Sequence, residues 1–194
     1  MMKYIGSQGT NAGTSNDYTI YIENIPSNQL ENWAMIQAER FKQPVLRLFH
    51  TELETVYEEK NMSLTNDSRK VNEAMLAALY PNHPYGQQTT LGEAEHLKNP
   101  SMKNIREFYD KYYIPNNMAI CLSGDFDMDQ AIQIIDKYFG KLESKPLPEF
   151  KITPEVPIKA PIIKEVTGLE AEFVRIGFRI GEPANSKDIY ILNM

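Results

Sequence analysis

The sequence predicts an α+β fold on three observations. Two short runs, "YTIYIENI", rich in β-branched and aromatic residues, and the apolar "MAICLSG", read as strands. Around them, five stretches carry apolar residues at helical spacing. A further run, "AEFVRIGFRI", alternates strictly: Val174, Ile176, Phe178 and Ile180 share one face and Arg175 and Arg179 the other. The 194 residues suffice for one full domain and part of a second.

In chain order, "GTNAGTSND" is small and polar and reads as a loop or irregular edge before the first strand. Pro26 ends that strand. Asn28 with Glu31 has the form of a capping box, and Leu30, Trp33, Ala34, Ala38 and Phe41 make the stripe of a first helix. A second helix is expected from Pro44, through Val45, Leu48, Phe49 and Val56. A third follows Asp67, with Val71, Met75, Ala78 and Leu79 inside. "PNHPYGQ" is a turn-rich break. Ser101 caps a fourth helix with Ile105, Phe108, Tyr109 and Tyr112 on one face. "MAICLSG" is expected as a short buried strand, which makes Cys121 a buried core thiol. Asp127 caps a fifth helix with Ala131, Ile132, Ile135 and Phe139 inside and Gly140 at its end.

Composition then shifts. Between Lys141 and Pro161 stand five prolines and little periodicity, as in an extended linker. The expected organisation is a first domain over 1–144, a Pro-rich linker over 145–161 and the start of a second, truncated domain over 162–194, where "NSKDIYILNM" opens a helix.

A hydrophobic share of 42% and a charged share of 24% fit a soluble globular chain. No apolar run approaches the ~18 residues that span a bilayer. "MMKYIGSQGT" has no apolar stretch after its lysine, so no signal peptide is read there. A net charge of -6 without a basic stripe argues against nucleic acid as the main partner. One cysteine allows no disulfide within the chain, so the compartment is not legible.

The stretch "HTELETVYEEKNM" concentrates acids: Glu52, Glu54, Glu58 and Glu59 fall within one short helical segment. Positions i, i+4 and i+7 share a helix face, which groups Glu52, Val56 and Glu59. Two turns of rise set the two carboxylates ~10 Å apart along the axis. Glu54 and Glu58 lie on another face, and the apolar Val56 between Glu52 and Glu59 points their stripe inward. A buried carboxylate is costly unless paired, hydrogen-bonded or bound to metal. Spacing alone favours an amphipathic helix with a charged outer face. His50, His83 and His96 are scattered, and neither His-Glu-x-x-His nor His-x-x-Glu-His occurs. By itself the chain lacks the three or four ligands that zinc takes.

"ELETVYEEKNM" resembles the third-ligand helix of the insulinase/pitrilysin family of zinc metallopeptidases. Four more segments match in the same order: "GTNAGTSNDYTIY" the edge strand, "HPYGQQTTLG" the His-Pro-Tyr/Phe-Gly segment, "FYDKYYIPNNMAICLSGDFD" the Tyr-x-Pro-Asn-Asn-Met strand, and "EFVRIGFRI" the first strand of the second domain. The resemblance implies an insulinase/processing-peptidase-like α+β domain, with a mixed, mainly antiparallel sheet packed against helices and a second similar domain starting after it. The family's His-x-x-Glu-His helix is absent, and the chain is expected to begin just after it.

By the resemblance, Glu59 is the third zinc ligand, Glu52 helps to position groups around the metal, and Asn11 and Ala12 bind substrate through an edge-strand backbone. It implies Zn2+ in the intact protein and none bound by this chain alone. It further implies a zinc endopeptidase acting on extended or unfolded peptide, whose missing C-terminal half or paired subunit closes the chamber. The isolated chain is expected to be inactive. The alternative is a non-catalytic peptide-binding or assembly subunit of the same family. Localisation stays open between a bacterial cell envelope or periplasm and the cytoplasm.

Overall fold

A computed structural model describes residues 1–180; the helix expected at "NSKDIYILNM" lies outside the described residues. The elements are strands β1 (Gly9–Thr14) and β2 (Thr19–Asn24) and helices α1 (Leu30–Lys42), α2 (Phe49–Ser63), α3 (Asp67–Leu79), α4 (Pro84–Gln87), α5 (Ala94–Lys98), α6 (Met102–Tyr112) and α7 (Met128–Phe139). Helices with a small antiparallel sheet make an α+β fold. The chain forms two compact units, one of Met1–Leu53 with Lys98–Phe150, the other of Glu54–Leu97 with the chain from Lys151 onward.

In the first unit β1 and β2 pair antiparallel, Asn11 opposite Ile22 and Ala12 opposite Tyr21. Helix α1 packs on α7. Ala34, Ala38 and Ala131 are buried, so small side chains let these helices approach closely. Trp33 and Phe139 fill the side of the contact, with ring centroids 6.2 Å apart. Glu31 accepts hydrogen bonds from Lys137 Nζ at 2.6 Å and Tyr138 Oη at 3.1 Å, which pull its carboxyl below the usual range and raise Lys137.

That contact overturns the capping box. Residue Gln29 precedes α1 without a side-chain cap, because a 3-10 turn at Ser27–Gln29 takes up the chain and Gln29 N donates to Pro26 O at 2.9 Å. Helix α2 begins at Phe49 rather than near Pro44. Leu48 has φ 56°, a left-handed conformation that no α-helix interior accommodates. Of the later caps, Ser101 and Asp127 follow the sequence, whereas α3 starts at Asp67 itself and is capped by Asn66. Asn66, Ser101 and Asp127 side chains accept from Arg69 N, Asn104 N and Gln130 N.

"MAICLSG" differs from expectation. Among the described residues it joins no ladder, and Cys121 is exposed. A strand buries its side chains only when neighbours cover its faces, and here nothing described pairs with it. Ile132, expected inside α7, is 60% exposed, because α1 meets the Ala131 face of the helix.

In the second unit, the chain from Thr167 to Gly177 lies against α3, and residues 171–180 join no ladder. The Asp67 carboxylate, buried at the start of α3, accepts from Leu169 N at 2.6 Å and Glu170 N at 2.8 Å. Lys70 Nζ lies 2.5 Å from the same carboxylate and donates to Thr167 O. A Cβ at Gly168 would overlap the Asp67 carboxyl, so a larger residue there must displace that side chain from its bonds to Leu169 N and Glu170 N. Farther along, Arg175 donates to Ser68 Oγ at 2.9 Å and Gly177 lies against Met75 and Leu79. The polar face of the alternating run therefore meets the helix. Val174, Ile176 and Phe178 are outward, at 87%, 74% and 81% exposure.

The Lys70 ammonium, then the two backbone N–H groups, hold Asp67 below the ordinary carboxylate range. A depressed folded value means that the stabilisation is present above the unfolded pKa and is lost as pH falls through the folded one. The protection of the Leu169 and Glu170 amides against hydrogen exchange is therefore expected to fall below about pH 4. In Asp67→Asn it should already be reduced at neutral pH. Protection unchanged by either would remove Asp67 as the anchor.

Candidate functional site

Two places carry the residues singled out by the sequence. The first is β1. Alternation on paired strands puts Thr10, Ala12, Tyr21 and Glu23 on one face and Asn11 with Ile22 on the other. β1 is glycine-rich and small-chained, whereas β2 carries Tyr21 and Glu23. The missing bulk leaves a cleft of about 490 Å³ lined by Thr10, Asn11 and Ala12 of β1, Tyr21 and Glu23 of β2, Arg40, Phe41 and Pro44 at the end of α1, and Tyr109 of α6. Asn11 and Ala12 are both exposed, and Asn11 Oδ1 accepts from Ala12 N at 2.8 Å. Among the described residues β1 has β2 as its only ladder neighbour, so its outer edge is open to another strand except at the Ala12 N–H, which Asn11 Oδ1 already takes.

The floor of the cleft is aromatic. Tyr21 and Tyr113 share a hydrogen bond at 3.2 Å, Tyr109 stacks on Tyr113 with centroids 4.4 Å apart, and Tyr109 Oη donates to Phe41 O at 3.0 Å. Burial, chiefly, raises both hydroxyls: Tyr109 to about 12 and Tyr21 further, the latter helped by its bond to Tyr113. Both stay protonated in the neutral range and serve as neutral hydrogen-bonding groups. Arg40 lies over the Tyr21 and Phe41 rings, 4.5 and 4.9 Å from their centroids. Glu23 takes a hydrogen bond from Gln37 Nε2 at 2.7 Å and stands 3.9 Å from Arg40.

The second place is α2. Glu52, Glu54, Glu58 and Glu59 are all exposed and Val56 is half-buried. Glu52 and Glu59 have no hydrogen-bond or ion-pair partner for their carboxylates among the described residues. Lys60, between the acids and the end of the helix, is buried instead. His50 packs edge-on against Phe49, and His83 accepts from Tyr85 N as the cap of α4. Among the described residues no three His, Cys, Asp or Glu side chains come together as a metal site.

Sequence reading placed Asn11 and Ala12 at an edge but missed the cleft beside them. Glu23 had a signal, a charge two positions from Tyr21 on one face of β2, whereas Arg40 had none. Only the packing of α1 and α6 on the sheet brings them together.

Residues 101–194 match a family model described as the peptidase M16 inactive domain. The uncharacterized zinc protease YmxG of Bacillus subtilis is 30% identical over 151 residues, covering 73% of this chain and 34% of that protein. The insulin-degrading enzyme of Mus musculus is 29% identical over 167 residues, covering 81% of this chain and 16% of the enzyme. A protease from Helicobacter pylori, of known crystal structure, matches with a TM-score of 0.70 at 25% sequence identity, over 78% of this chain and 37% of that one. The chain thus spans well under half the length of these relatives.

Proposed function

The chain belongs to the insulinase/pitrilysin (M16) family of zinc metallopeptidases, and from that premise we propose that it is part of a zinc-dependent endopeptidase acting on extended peptides, inactive as these 194 residues alone. The observation that carries the reading is the Glu59 carboxylate, exposed on α2 and unpartnered among the described residues, seven positions after a second such carboxylate. An anionic oxygen on a rigid helix is a donor that zinc accepts, so Glu59 fits as one ligand. The donor count does not close within this chain. The reading therefore takes two histidine ligands and a general-base glutamate from a His-x-x-Glu-His helix outside these residues.

Bound there, zinc supplies Lewis acidity toward the scissile carbonyl and a water whose pKa falls towards ~7. Glu59 would hold the metal, and its negative charge limits how far that acidity rises. Glu52, on the same face two turns earlier, would orient a histidine ligand by accepting its ring N–H. β1 would align the substrate. An extended peptide adding to its outer edge pairs with the main chain at Asn11 and Ala12, which asks little of substrate side chains. The reading keeps a first domain over 1–144, a linker over 145–161 and the start of a second domain over 162–194, with the chamber closed by a C-terminal half or a paired subunit.

The match to a model described as inactive supports a second reading, a non-catalytic peptide-binding or assembly subunit. Joining the chain to a His-x-x-Glu-His helix separates the two: one zinc should then bind tightly and peptide should be cleaved. For the 194 residues alone, zinc calorimetry is expected to show weak or no binding, unchanged in Glu59→Gln, with no cleavage of an unfolded peptide above background. Tight one-site binding that Glu59→Gln abolishes would mean that His50, His83 or His96 completes the ligand set within this chain.

A further inference from the structure

We propose that Arg40 is a specificity-determining residue, and that the cleft beneath β1 takes an acidic side chain from a peptide laid along that strand. The proposal rests on the reading of β1 as the substrate edge and adds the chemistry of a preferred side chain.

The guanidinium is held but not used up. Its Cζ lies 4.5 and 4.9 Å from the centroids of the Tyr21 and Phe41 rings, and its nearest carboxylate oxygen, on Glu23, is 3.9 Å away, beyond hydrogen-bond distance. Among the described residues Arg40 makes no hydrogen bond, so its N–H donors are unsatisfied by protein. A stacked arginine has already given up part of its rotamer freedom, and an incoming carboxylate meets a pre-oriented fork.

The cleft also holds a negative charge, so the opposite preference must be weighed. Glu23 has an oxygen, Oε2, without a hydrogen-bond partner. Exposure decides between the two. The Glu23 side chain is 5% exposed and that oxygen is sealed from solvent, whereas the Arg40 side chain is 39% exposed. A ligand entering the cleft touches Arg40 first and cannot reach Glu23 Oε2 without displacing the floor. Glu23 acts as a buried counter-charge that keeps Arg40 against the rings. The rest of the lining suits the stem of an acidic side chain: Tyr109 and Pro44 offer apolar surface, and the Tyr21 and Tyr109 hydroxyls stay neutral.

The geometry of addition agrees. Thr10 and Ala12 of β1 face the cleft, and both are small. Side chains of a third strand laid beside β1 alternate between the two faces, so every second one enters on the Arg40 side. One acid at such a position therefore suffices.

The test uses two fluorescent nonapeptides, each a Thr/Ala host with one central Glu or Gln, and a second pair shifted by one residue. Anisotropy is read on the 194-residue chain and on its Arg40→Met and Glu23→Gln variants. An exposed to half-buried ion pair supports a preference of about fivefold for Glu over Gln in one pair. It should disappear in Arg40→Met, which keeps apolar bulk over the rings, and survive in Glu23→Gln. Equal binding of Glu and Gln peptides in both pairs overturns the role of Arg40 and leaves the edge reading standing. A preference for Gln over Glu, lost in Glu23→Gln, overturns it in favour of Glu23. No binding of any peptide overturns the edge reading and the proposal with it.

Discussion

In a peptidase in which these residues are joined to a His-x-x-Glu-His helix, Glu59→Gln is expected to lower peptide hydrolysis by more than about 100-fold. Glu52→Gln is expected to cost about 10- to 100-fold, the usual loss for groups that orient a metal ligand. The asymmetry follows from roles. A carboxamide keeps the shape of glutamate but loses the charge that binds the metal, so Glu59→Gln should lose zinc as well as rate. Glu52→Gln should keep most of its zinc and lose rate, because a neutral acceptor orients an imidazole less firmly. The measurement is kcat/KM on an unfolded peptide beside zinc content by elemental analysis. Equal and small effects of both would return α2 to the plain amphipathic helix that its spacing also describes. Glu54→Gln is the internal control. It lies on another face of the same helix and should change neither quantity.

Gly86→Ala is expected to destabilise the chain by at least ~2 kcal/mol, in the range of overpacking and backbone-strain substitutions. Gly86 sits in α4, which folds back on the end of α3. A Cβ there would overlap the Tyr80 carbonyl oxygen and stand 2.7 Å from the Leu76 carbonyl oxygen. Both are backbone atoms, so neither can turn aside as a side chain would. The α3 carbonyls need this approach because α4 starts so soon after α3 ends, through "PNHP". Chemical denaturation of the 194-residue chain checks it, with Gly9→Ala alongside. A Cβ at Gly9 meets nothing within 4 Å, so that variant should unfold near the wild-type midpoint. Coincident midpoints for Gly86→Ala and wild type would show that the corner can open at no cost.

What the residues alone decided is local chemistry. Asn66, Ser101 and Asp127 each stand three positions before an N–H that needs an acceptor, and each became the cap that its side chain dictates. The helices α1, α3, α6 and α7 emerged because helical periodicity is a property of short stretches, although Phe108 of the α6 stripe and Ile132 of the α7 stripe are exposed. The family was legible for the same reason: five segments in a fixed order survive in the linear sequence, and the role proposed for Glu59 rests on its place in one of them.

What the tertiary structure decided is everything that depends on a neighbour. Whether "MAICLSG" buries Cys121 depends on what covers its faces, and among the described residues nothing does. The alternation of residues 172–180 marked two faces but not their directions. The hydrogen-bonding demands of Arg175 and the close fit at Gly177 turned the polar face onto α3. Glu31, a capping acid by sequence, was drawn instead to Lys137 and Tyr138, more than a hundred residues away. Arg40, silent in the sequence, became a candidate binding group only when α1 and α6 closed aromatic rings around it. Caps and stripes follow from interactions a few residues apart, whereas burial, counter-charges and clefts are made by residues whose separation along the chain carries no information about their separation in space.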